Sequence, residues 1–109
     1  MAANNPIVTV TGRVDALNAS DLDAQLAALA AQGHSHITLD LSEVSYLSSS
    51  GLRVLLLAHR RQQALGGRLE IRHVPARVMR VLRLAGFDRI LDLCADASTQ
   101  PTQSPPLAG

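Results

Sequence analysis

The feature that most constrains this chain is a strand pattern, a serine-rich turn and a helix pattern read in one pass. Ile37, Leu39 and Leu41 alternate with Thr38 and Asp40, and Val44-Ser45-Tyr46-Leu47 follows. Alternation of this kind marks a half-buried strand. The run stops at Ser48-Ser49-Ser50-Gly51 and gives way at once to the leucine-rich Leu52-Arg53-Val54-Leu55-Leu56-Leu57. A strand that turns so briefly into a helix belongs to a strand–helix–strand unit, and such units build parallel sheets with right-handed crossovers. The turn also puts serines at the positive end of a helix. A phosphate is favoured there, because free backbone N–H groups and the helix dipole both point at it. A hydroxyl that can gain a phosphate at such a point is a candidate switch.

The rest of the chain repeats the same succession of element types. Ile7 to Val14 reads as a first strand, interrupted at Gly12, where a bulge or a close backbone approach is expected. A helix follows. Ser20 and Asp23 have capping-box-like spacing, Leu22, Leu26 and Leu29 recur at helical intervals, and Gly33 is a natural stop. The second strand is expected over His36 to Leu41, and a second helix from Ser49 or Ser50 to about Leu65, closed by Gly66-Gly67. Arg68-Leu69-Glu70-Ile71-Arg72 alternates strictly and predicts a third strand with one apolar face. Pro75 suits the first turn of a third helix, with Val78, Val81, Leu82 and Ala85 as its apolar stripe and Gly86 at its end. Phe87 to Cys94 is expected to form a last strand, and Ala95 to Thr99 a helical turn. The expected architecture is α/β: one domain over residues 1–99, with a small, mostly parallel sheet of about four strands and helices packed on it. Residues 100–109, rich in Pro, Gln and Ser, are expected to form a disordered tail, since they cannot bury enough apolar surface to order themselves.

Composition narrows the classes. The chain has 109 residues, 47% hydrophobic, which is enough for a core, but only 2% aromatic, so that core is aliphatic. A net charge of +1 gives no strong field. Arg60-Arg61 and the Arg77, Arg80, Arg83 series are too local for a nucleic-acid footprint, and the second reads as a solvated helix face. Cys94 is the single cysteine, which excludes an intramolecular disulfide and a cysteine-based metal site; among apolar neighbours it reads as a packed thiol in a reducing compartment. The N-terminal residues lack the charged and apolar regions of a signal peptide, and no apolar run approaches the ~18 residues that span a bilayer. The expected location is the cytoplasm, without membrane insertion.

Catalytic readings fare poorly. A hydrolase elbow would read Gly-x-Ser-x-Gly, and Leu47-Ser48-Ser49-Ser50-Gly51 lacks the first glycine. His34, His36, His59 and His73 show no spacing that implies a triad or a metal site. There is no lysine, so a phosphate-binding loop of the Gly-rich Lys-Ser/Thr type is excluded. No enzyme activity and no cofactor are expected. An N-cap role, worth ~1 kcal/mol, accounts for one serine of the turn but not for three in a row before a glycine.

Taken with Thr11-Gly12-Arg13-Val14-Asp15-Ala16 and Asn18, Leu39-Asp40-Leu41-Ser42-Glu43-Val44, and Val81-Leu82-Arg83-Leu84-Ala85-Gly86-Phe87, the signature Tyr46-Leu47-Ser48-Ser49-Ser50-Gly51-Leu52 resembles the STAS domain, the fold of bacterial anti-sigma factor antagonists. The resemblance covers about Ile7 to Ser98. It implies a partner switch: the antagonist binds an anti-sigma factor that is also a serine kinase, the sigma factor is released, and phosphorylation of the antagonist breaks the complex. The family's phosphoacceptor immediately precedes the signature glycine, which is Ser50 here, with Ser49 and Ser48 as alternatives. The partner surface it implies comprises Asp15, Asn18, Ser48, Ser49, Ser50, Gly51, Leu52 and Arg53. Ser48 stands where the family usually has aspartate. The extra strand that often precedes the first Gly-x-x-Asp hairpin is short or missing, which leaves a sheet edge that a second copy could cover as a homodimer. A second function class shares the fold: an adaptor subunit bound to the ATPase of a lipid-transport ABC system.

Overall fold

The alternating runs become strands that all point the same way. The structure is a computed structural model that describes residues 5–95. These form β1 (Ile7–Val14), α1 (Ala19–Ala31), β2 (His36–Leu47), α2 (Ser49–Ala64), β3 (Arg68–Val74), α3 (Ala76–Leu84), a 3-10 turn at Phe87–Arg89 and β4 (Asp92–Ala95). The four strands make one sheet in chain order, each neighbouring pair parallel. When every crossover is right-handed and every new strand is added on the same side, all the helices fall on one face. Burial agrees with that. Ile37, Leu39 and Leu41 of β2 and Leu69 and Ile71 of β3 are buried, while their alternates Thr38, Asp40, Glu70 and Arg72 stay at least partly in solvent. The core is one aliphatic layer between sheet and helices, with Leu26 of α1, Leu55 of α2 and Leu82 of α3 wholly enclosed.

β2 continues past Leu41 to Leu47, because it takes up extra residues instead of ending. Thr9 pairs with Asp40 but Thr11 with Glu43, and Gly12 pairs with Val44 but Arg13 with Tyr46. Each shift changes which residues point inward, and so Val44 and Leu47 are buried. Asp40 holds the first shift: its Oδ1 accepts the N–H of Ser42 at 2.8 Å. That backbone bond is the chief reason its carboxyl is held below the usual carboxylate range. The bulge expected at Gly12 is the second shift, and Gly12 has φ +75°.

Other expectations need correction. α1 is not capped by Ser20; it starts at Ala19, behind Asn18, whose side chain makes no cap bond. That amide is committed to the preceding loop instead, as described below. α3 buries Val78, Met79 and Leu82, while Val81 and Ala85 are exposed. The flexible Met79, rather than Val81, joins the buried core cluster. Phe87 does not begin a strand. Gly86, at φ +79°, turns the chain sharply, and the Phe87 carbonyl accepts the N–H of Ile90 and Leu91 at 3.1 and 2.8 Å before β4 forms. Cys94 is exposed rather than packed. Alternation along β4 puts it on the open face, 3.9 Å from the Glu70 carboxylate. Ala95 ends β4 rather than opening a helical turn; the rest of that expected turn and the tail over 100–109 lie outside the described residues.

Candidate functional site

Because the strands are parallel, the turns from β1 to α1, β2 to α2 and β3 to α3 share the edge of the sheet at the strands' C-terminal ends, where open α/β sheets carry their sites. The three serines divide the β2–α2 turn among separate roles. Ser48 is the N-cap, in extended backbone, and its Oγ accepts the Gly51 N–H at 3.2 Å. Its own N–H donates to the Val14 carbonyl at 2.9 Å and ties the turn to the end of β1. Ser49 is the first helical residue and exposed; Ser50 is the second and half-buried. The capping bond comes from Ser48, so the Ser50 hydroxyl takes no part in it.

Gly51 is buried. A Cβ there would lie 2.6 Å from Leu47 Cδ1 and 2.9 Å from Val14 Cγ1. The glycine lets the start of α2 seat directly on the ends of β1 and β2, and this contact lies within the chain rather than at its surface. Leu52 is half-buried and packs against the core. Arg53 is exposed, three residues along the helix from Ser50 and so on the same side. The first turn of α2 contains no acidic residue, so the positive helix end is uncompensated there.

Asp15 and Asn18 shape the neighbouring loop. Asn18 Oδ1 accepts the Asp15 N–H at 2.8 Å, Asn18 Nδ2 donates to the Arg13 carbonyl at 2.7 Å, and Asp15 Oδ1 accepts the Leu17 N–H at 3.0 Å. This bonding lifts Leu17 into solvent, 89% exposed. Nearby, the Arg13 guanidinium lies 4.4 Å above the centre of the Tyr46 ring, which is itself 44% exposed. Sequence reasoning names Arg13 and Tyr46 only as family markers and does not single out Leu17 or the pairing of Arg13 with Tyr46. Leu17 has no periodic partner, and the Arg13–Tyr46 stack depends on a register shift that no local pattern announces. A hollow of about 110 Å³ continues from Tyr46 and Leu47 to Arg77, Val78 and Val81 of α3.

The histidines are scattered. His36 opens β2 at the opposite edge, His59 is buried within α2, and His73 lies in β3 at φ +55°. Among the described residues no group of His, Cys, Asp and Glu could hold a metal ion, and no helix is long and apolar enough to cross a membrane. This edge carries the hydroxyls of the β2–α2 turn on a positive helix end, the exposed Leu17 and the Arg13–Tyr46 pair.

The family model described as "Mlab, STAS domain" matches residues 1–93. The chain belongs to the STAS family. This STAS domain is 36% identical over 81 residues to BtrV of Bordetella bronchiseptica, which carries the name anti-sigma factor antagonist; the match covers 74% of this chain and 70% of that one. It is 30% identical over 92 residues to the anti-sigma-B factor antagonist of Bacillus subtilis, covering 84% of each. Its fold matches that of the Bacillus antagonist SpoIIAA in two forms. The unphosphorylated form gives a TM-score of 0.74 at 20% identity, over 90% of this chain and 86% of that one. The phosphorylated form gives 0.68 at 19% identity, over 90% and 89%.

Proposed function

We propose that this STAS domain is a cytoplasmic anti-sigma factor antagonist that acts by binding, without enzymatic activity of its own. It binds an anti-sigma factor of the serine-kinase type, and phosphorylation of Ser50 ends the complex. The names of two relatives support the antagonist role. The observation that carries the switch is the division of labour at the turn: Ser48 is occupied in capping, and Ser50 stands in the first turn with its hydroxyl outside the cap. A phosphate there adds a charge of about −1.5 to −2 and three acceptor oxygens. The helix end receives that charge well, so the fold persists. A partner surface closed over an uncharged serine does not, because an unpaired dianion is costly to bury.

The test is intact-mass spectrometry of the protein purified from its own host, with peptide mapping across Val44 to Arg53. Phosphate on Ser50 supports the reading, and phosphate on Ser49 or Ser48 keeps the mechanism while moving the site. Its absence under every growth condition supports the second reading, an adaptor on the ATPase of a lipid-transport ABC system. One observation favours that alternative: the cap at position 48 is held by a neutral hydroxyl where the family usually has an acid.

A further inference from the structure

The outer edge of β1 has no partner strand among the described residues, and its backbone can be read residue by residue. The Pro6 carbonyl accepts the Thr38 N–H at 2.9 Å, so Pro6 faces β2. Backbone groups alternate along a strand; Val8 and Val10 therefore also face β2, and the N–H and C=O groups of Ile7, Thr9 and Thr11 face outward. Natural edges are protected by charge, proline, bulges or covering elements. From Ile7 to Gly12 this edge carries no charged residue and no proline, and its bulges come only after Thr9. Ile7 is 65% exposed. Alongside the edge, between β1 and α1, runs an open groove of about 220 Å³ lined in part by Val10 and Leu22, with Asp21 and Gln25 from the exposed side of α1.

We propose that this edge pairs with the same edge of a second copy, antiparallel and centred on Thr9. A two-fold axis at that point sets Thr9 opposite Thr9 of the partner subunit and Ile7 opposite the partner's Thr11. All three outward-facing residues of each copy then meet outward-facing residues, the condition for hydrogen-bonded pairs in an antiparallel ladder. The inward-facing residues also match, Val8 opposite the partner's Val10, so valines meet along the groove side. No like charges oppose each other: Arg13 falls opposite the partner's Asn5. The result is one continuous sheet through both copies, with β1 central instead of at the edge. This pairing leaves the turns at Asp15 to Asn18 and Ser48 to Arg53 outside the ladder and does not depend on phosphorylation of Ser50.

The experiment uses the full chain. Sedimentation velocity over a hundredfold range of concentration is expected to show a monomer–dimer equilibrium, and hydrogen exchange is expected to show Ile7, Thr9 and Thr11 amides protected in the concentrated sample and released on dilution. Thr9→Lys puts two like charges at the centre of the ladder. Thr9 is exposed in the single chain, so this variant is expected to keep the wild-type melting temperature measured at monomeric dilution while losing the dimer. A chain that stays monomeric throughout, or a dimer that survives Thr9→Lys with those amides still exchanging freely, overturns the proposal.

Discussion

Gly51 and Ser48 show how single atoms set the site. At position 51 even a methyl group would meet Leu47 Cδ1 at 2.6 Å and Val14 Cγ1 at 2.9 Å. Overpacking of this kind typically costs ~1–3 kcal/mol, so Gly51→Ala is expected to lower the denaturation midpoint by that order, and Gly51→Val by more. Unchanged unfolding curves for both would remove the seating argument. Ser48→Ala deletes the acceptor for the Gly51 N–H and is expected to cost ~1 kcal/mol, read in the same assay. Ser50→Asp behaves differently. A carboxylate in the first helical turn is not unfavourable, so its stability is expected to stay within about 1 kcal/mol of wild type. Binding to the proposed anti-sigma kinase, measured by calorimetry, is expected to fall steeply. A variant that binds normally would sink the charge-switch reading, and one that unfolds would sink the placement of Ser50 in that turn.

At the scale of elements, α2 is fixed at both ends, by different means. Its start sits on β1 and β2 through Gly51. Near its other end the buried Gln62 side chain donates through Nε2 to the His34 and Ser35 carbonyls at 2.8 and 2.9 Å, holding the helix to the approach to β2. Gln62→Leu keeps the volume but strips both carbonyls of that donor, and is expected to cost ~1–3 kcal/mol in chemical denaturation. A neutral outcome would mean that those carbonyls find other partners. Much of this layer was legible in the sequence. The alternation of Ile37, Leu39 and Leu41 and of Leu69 and Ile71 announced strands with one apolar face, and Ser48 to Gly51 announced the start of α2. The extension of β2 to Leu47 was not legible, because the extra residues are absorbed by pairing with β1 and held by the Asp40–Ser42 bond. Nor was the start of α1: Asn18 spends its amide on Asp15 and Arg13, a competition between loop and helix that capping rules alone do not decide. The candidate serines were readable from their order alone, whereas the stack of Arg13 on Tyr46 required the register.

For the molecule as a whole, Asp40 links stability to pH. Its carboxyl is lowered in the folded state, chiefly by the Ser42 N–H, so the folded form binds its proton less readily than the unfolded chain. The contribution is present above the unfolded value, the 3.8 of an ordinary aspartate, and is lost as pH falls through the lower folded value. Asp40→Asn keeps an acceptor but removes the titration. The stability gap between wild type and this variant is expected to be full at pH 7 and to close below about pH 4 in denaturation series. A gap that widens on acidification would contradict the assignment. The single-layer architecture also leaves the polar face of the sheet to solvent, with Arg68 paired to Asp92 and Arg72 beside Glu70 at 3.7 Å. Exposed pairs of this kind contribute little, and the fold depends instead on the aliphatic layer beneath.

The neutral cap at Ser48 has one more consequence. With no acid in the first turn of α2, no side chain of that turn offsets the partial positive charge of the helix end. A phosphate monoester on Ser50 would therefore give up its second proton at lower pH than a phosphoserine in an unstructured peptide, whose value is ~6. Its phosphorus resonance would titrate early, and the dianion would predominate at neutral pH. The signal written on this serine would then be largely indifferent to shifts in cellular acidity.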